Sequence, residues 1–218
     1  MFVRAKATIS ILLCIALLQA TAFAEVAPAL GQVTQADHAR LGNGALMSGA
    51  TLFEGDRLTT DLTGSLRANL NTGQLFLLAD STASIRRAGK SVQASLERGA
   101  AIFSSTGPEG LQVAAITAIV RARLAQSTIG EVTLLGANQF VVTCQRGELE
   151  VLIGDEVRTV EAGHSYQVVM DDSPGPQGTG SHRTTAGGRR KALWIPLAIV
   201  AAGVAYGMYR ALRKVSDD

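Results

Sequence analysis

From residue 26 to residue 170 apolar and polar side chains alternate in short runs, the period-two pattern of half-buried β-strands. Leu66, Ala68 and Leu70 alternate with Arg67 and Asn69, and Asn71-Thr72-Gly73 then turns the chain into the apolar Leu75, Phe76, Leu77 and Leu78. Val92, Ala94 and Leu96 alternate with polar partners, and Glu97-Arg98-Gly99 turns into Ala101, Ile102 and Phe103. Phe140, Val142 and Cys144 alternate, Arg146-Gly147 turns, and Leu149, Val151 and Ile153 alternate again. Gly154-Asp155 has the composition of a tight hairpin loop before Val157. Ala162-Gly163 closes that strand, and residues 166–170 form the last one. Residues 113–124 are rich enough in alanine to suit a helix, and are read as a strand. The pattern predicts an all-β domain over residues 26–170, a short-stranded sandwich, a barrel or a solenoid-like stack.

Two blocks depart from this pattern. Residues 9–18 are almost wholly apolar; Arg4 and Lys6 precede them and Ala22-Phe23-Ala24 follows, the three parts of a secretory signal peptide over residues 1–24. Cys14 is not placed for lipidation, because Leu13 occupies the preceding position where a small residue is needed. Residues 192–209 carry no charge and match the length of a membrane-spanning helix, with Trp194 near one end and Tyr206 and Tyr209 near the other. Basic residues balance at the two flanks, three against three (Arg189, Arg190, Lys191; Arg210, Arg213, Lys214), so the signal peptide decides orientation. The expectation is an exported domain on a single-pass inner-membrane anchor, periplasmic in a Gram-negative cell. Within the run Gly203 and Gly207 form a G-x-x-x-G, which would let two such helices pair in a homodimer. Residues 171–191 are rich in Pro, Gly, Ser and Thr and read as a flexible linker; residues 210–218 form a short tail.

Charge changes the picture chiefly by exclusion. Removing residues 1–24 takes away Arg4 and Lys6 and no acid, so the 20 basic and 18 acidic residues become 18 and 18. A neutral chain has no field to draw it to nucleic acid. Chemistry is sparse as well. His38, His164 and His182 share no metal-ligand spacing, and no nucleophile elbow, phosphate loop or dinucleotide fingerprint occurs, so neither metal, cofactor nor catalytic residue is expected. The adjacent acids Asp171-Asp172 and Asp217-Asp218 fall in the linker and the tail, and Asp56 and Asp155, each after a glycine, read as turn residues. Cys144 alone remains after signal removal; alternation puts it on the inward face, the alternative being an intermolecular disulfide. Arg121 and Arg123 flank Ala122 on one strand face, as a solvated edge or as a pair able to hold an anionic group.

One segment carries a family resemblance. Gly49-Ala50-Thr51-Leu52-Phe53-Glu54-Gly55-Asp56-Arg57-Leu58-Thr59-Thr60 resembles the opening G-x-x-L-x-x-G-D-x-I-x-T signature of FecR domains. Leu96-Glu97-Arg98-Gly99-Ala100 is similar to their mid-domain L-x-x-G turn, and Thr117-Ala118-Ile119-Val120-Arg121 to their V-R-G-T core strand, with Ala122-Arg123 where the family has Gly-Thr. Residues 147–168 resemble the closing segment. The resemblance implies a non-catalytic binding or sensing module that engages an envelope protein, a polymer or a small signal. It does not extend to the layout of the iron-transport regulators that name the family, which place a cytoplasmic anti-sigma segment before the membrane helix. Two other readings stand beside it: an enzyme whose site is assembled from distant residues, and an envelope structural protein sorted by its C-terminal tail. The Pro-Glu-Pro-type motif of such sorting signals is absent from Ser173-Pro174-Gly175-Pro176.

Overall fold

Alternation becomes sixteen strands. A computed structural model describes residues 28–171 and 191–197. In chain order the strands are β1 (Gly31–Leu41), β2 (Gly44–Ala45), β3 (Thr51–Leu52), β4 (Arg57–Leu70), β5 (Gly73–Leu77), β6 (Thr82–Ala88), β7 (Ser91–Arg98) and β8 (Ala100–Ser105). They continue as β9 (Leu111–Ala115), β10 (Ala118–Ala122), β11 (Thr128–Gly136), β12 (Gln139–Arg146), β13 (Glu148–Ile153), β14 (Glu156–Glu161), β15 (Ser165–Asp171) and β16 (Lys191–Leu197). Among the described residues there is no helix, and so none long and apolar enough to cross a membrane.

The strands form one sheet in the order β14-β13-β10-β9-β7-β6-β4-β5-β8-β11-β12-β15-β16, with β1 along the other side of β4. All pairs are antiparallel except β7 with β9. The sheet curls on itself, so that β11 faces β7, β9 and β13 across a shared core. β4 makes the curl possible. Its first residues, Arg57 to Thr59, pair with β6 in one layer, and Leu66 to Leu70 pair with β5 in the other. Leu52, Leu58, Leu66, Leu75, Leu77, Ile85, Phe103, Leu111, Phe140 and Leu149 fill the space between the layers without solvent exposure beyond 1%. Each such side chain contributes about 1.5–3 kcal/mol of transfer free energy.

The segment that resembles FecR domains proves to be a folding device. Leu52 and Leu58 are core residues. Gly55 turns the chain at φ 89°, a conformation that a Cβ disfavours, and the Asp56 carboxylate accepts a hydrogen bond from the Phe53 amide at 2.8 Å. Thr60, at the end of the signature, is fully buried. Its hydroxyl donates to the Leu78 carbonyl and accepts from the Ser81 amide at 3.0 Å. The Ser81 hydroxyl in turn accepts from the Ala100 amide at 2.9 Å. Two hydroxyls thus satisfy the backbone where β4 leaves one layer for the other, β6 begins and β8 starts.

Two expectations are corrected. Residues 113–124 are not one strand. They belong to the hairpin β9–β10, whose loop Ile116-Thr117 closes between Ala115 and Ala118. Ile116 sits there at φ 58°, a left-handed conformation that β-branched residues seldom take, and sequence reading gives no warning of it. The second concerns the start of the apolar run. Ala192 to Leu197, expected to open the membrane helix, lie in β16, paired with β15 from Asp171↔Lys191 to Ser165↔Leu197. An uninterrupted apolar run looks alike as helix or strand. Here Ala192 and Trp194 pack against the core, while Leu193, Ile195 and Leu197 point outward. Trp194 meets Tyr166 edge-on at 6.3 Å, with the Arg158 guanidinium 4.7 Å above its ring. Pro196 is tolerated because β16 is the outermost strand. Residues 198–209, the rest of the expected span, lie outside the described residues, as do the signal peptide and residues 172–190 of the linker.

Candidate binding surface

The outward side chains of the layer β6-β7-β9-β10-β13-β14 line up in rungs that run across the strands. Register places Arg86 opposite Gln93, Gln93 beside Gln112, Arg121 opposite Glu150, and Glu150 opposite Thr159. Gln112 and Arg121 fall on adjacent strands at the next step of the β9–β10 register. The parallel rung one step away is Ser84, Ser95, Ala114, Ile119, Leu152 and Val157. One rung is thus polar throughout, and its neighbour passes from small hydroxyls to aliphatic side chains.

Electrostatics within the polar rung are largely balanced. Arg121 binds the Glu150 carboxylate with Nε at 2.8 Å and Nη2 at 2.6 Å, and Arg123 binds that of Glu148 with Nη1 at 2.9 Å. The two arginines do share a face, but each already holds a carboxylate, so an external anion would compete with Glu148 and Glu150. Gln112 donates through Nε2 to the Ser91 hydroxyl at 3.1 Å and to the Pro108 carbonyl at 3.3 Å. Gln93 differs from its neighbours. It is only 3% exposed, and its Nε2 has no hydrogen-bond partner. A buried donor left in this state costs about 1–3 kcal/mol.

The outer face of the opposite layer has another character. Phe76, Ile102, Glu131 and Thr143 follow one another across β5, β8, β11 and β12, with Arg67 stacked 5.7 Å from the Phe76 ring centre. Burial raises the Glu131 carboxyl above its ordinary pKa, partly offset by hydrogen bonds from Gln145 and Thr133.

The remaining candidate residues are scattered. His38 lies in an irregular stretch of β1 at φ 44° with Nδ1 2.9 Å from the Asp37 carboxylate, and His164 is exposed in the turn before β15. Among the described residues no group of three or more His, Cys, Asp or Glu could hold a metal ion. Gly203, Gly207 and His182 lie outside the described residues. Cys144 faces inward with no exposure, and its thiol donates weakly to the carbonyls of Arg146 and Gly147 at 3.5 and 3.4 Å. Burial pushes this thiol up to about 11. At pH 8 it should therefore resist alkylation in the folded protein and react within minutes once denaturant is added, as mass spectrometry after iodoacetamide would show. Its folded pKa exceeds the unfolded 9.0, so the stability this residue contributes is intact below that value. It is lost as pH climbs toward about 11.

No family model matches this chain, and no curated protein matches it. Its fold is similar to two crystal structures of a protein from Parabacteroides distasonis described as a "putative anti-sigma factor", each at 15% identity and TM-score 0.45. The match covers 64% of this chain and 59% of that one, so the chain spans about three fifths of its neighbour's length.

Proposed function

We propose that this chain is an exported, membrane-tethered, non-catalytic binding or sensing module of the FecR type, and that it engages an envelope component through the polar rung of Arg86, Gln93, Gln112, Arg121, Glu150 and Thr159. The resemblance in residues 49–60 supports the family reading, and the signal-like and apolar blocks at the two ends support export and tethering. The observation that carries the choice of surface is Gln93, on the outer face of a sheet by alternation with Val92 and Ala94, whose buried Nε2 has no hydrogen-bond partner. A protein gains nothing in stability from such a group, and a ligand acceptor would complete it. The test is a site-specific photo-crosslinker placed in the full chain in intact membranes. Crosslinkers at Ser95 or Gln112 should capture a discrete adduct, and one at Thr143 on the opposite layer should not. Equal capture from both faces, or none from the rung, would overturn the assignment.

A further inference from the structure

We infer that this polar rung takes an uncharged polysaccharide, laid across the strands rather than along them. The inference rests on the binding-module reading above and adds the class of ligand. Neighbouring strands lie about 4.8 Å apart, so the rung offers one hydrogen-bonding side chain at every such step across six strands. That spacing is close to the repeat of an extended glycan chain. The groups offered are of mixed sense: Arg86 and Arg121 donate, Glu150 accepts, and Gln93, Gln112 and Thr159 do both. Sugar hydroxyls, which also donate and accept, suit such a mixture. The adjoining aliphatic positions Ala114, Ile119, Leu152 and Val157 supply a strip on which the C–H faces of sugar rings can rest.

Charge and placement argue against the other polymers. Arg121 with Glu150 and Arg123 with Glu148 are neutralised in pairs, which leaves Arg86 at one end of the rung as a single cation, too little to hold a polyanion. Extended peptides are usually captured at a sheet edge, where backbone groups are unpaired. The inner positions of this rung, on β7, β9, β10 and β13, lie on strands paired on both sides, where recognition falls to side chains; only its ends, Arg86 on β6 and Thr159 on the terminal strand β14, reach unpaired backbone. Gln93, between exposed Arg86 and half-buried Gln112, supplies the donor that a hydroxyl would meet once the neighbouring side chains move aside. The twist of the sheet turns the rung by roughly 20° per strand, which a chain of rotatable glycosidic bonds can follow.

The experiment is affinity electrophoresis of the detergent-solubilised full chain through gels containing envelope polysaccharide from the native cell, separated by anion exchange into neutral and acidic fractions. The neutral fraction should retard the protein, and Gln93→Leu and Gln112→Leu should each weaken retardation at least tenfold. Thr143→Ala should leave it unchanged. Gln93→Leu should also melt at or above the wild-type temperature, because it removes a buried N–H donor that has no partner; loss of binding would then not be loss of fold. Retardation by the acidic fraction alone, or by neither, would overturn the inference, as would an unaffected Gln93→Leu. A protein adduct from the photo-crosslinker without retardation by neutral polymer would also overturn it, and would leave the binding-module reading standing.

Discussion

Thr60→Val should lower the stability of the purified protein by about 2–3 kcal/mol, or roughly 5–10 °C in Tm. The substitution keeps the shape of the side chain and removes one hydroxyl. That hydroxyl serves the Leu78 carbonyl and the Ser81 amide, and both Thr60 and Ser81 are fully buried. Thr60→Ser keeps the oxygen and should recover most of the loss. Thermal unfolding followed by circular dichroism distinguishes the two variants. Equal melting of Thr60→Val and wild type would show that water enters the β4 crossing, and that the buried node does not hold it.

A second large effect should appear at Trp194, the chain's single tryptophan. When the full chain is reconstituted in bilayers with brominated acyl chains, its fluorescence should be strongly quenched. The reason is length. With β16 docked, the apolar run keeps residues 198–209, twelve residues that make about 18 Å of helix at 1.5 Å each. A hydrocarbon core is about 30 Å thick. A chain that crosses it needs residues 192–197 as well, and β16 must then leave β15. Bright, unquenched Trp194 in membrane-integrated protein would show that the strand stays docked and that the span does not begin at Ala192. Leu193, Ile195 and Leu197, exposed at 61%, 39% and 39%, make departure from water favourable.

These two cases also show what the sequence discloses. Alternation revealed most strands, and the turns at Asn71-Thr72-Gly73 and Gly154-Asp155 fell where their composition placed them, because local geometry and local sequence agree there. β1 and β6 were not recognised, and neither was β11. Its inward positions include Thr128 and Gly130, and Gly130 leaves room for the Phe103 ring, whose nearest atom would lie 2.8 Å from a Cβ. The β9–β10 turn was hidden by Ile116, a residue whose shape argues against the conformation it adopts. At the candidate surface Arg121 and Arg123 stood out, but Glu148 and Glu150 became their partners only through a strand register that one sequence cannot supply. Gln93 was legible merely as a polar residue between Val92 and Ala94. Its isolation depends on the parallel pairing of β7 with β9, a long-range fact.

The path of β4 has a mechanical consequence. One uninterrupted strand is hydrogen-bonded into both layers, so neither layer can slide over the other without tearing its own pairing. Force applied to the face bearing Gln93 is therefore passed to the opposite layer as to a stiff yoke. The body can rotate or be pulled as a unit, and the place where it can yield is the outermost strand.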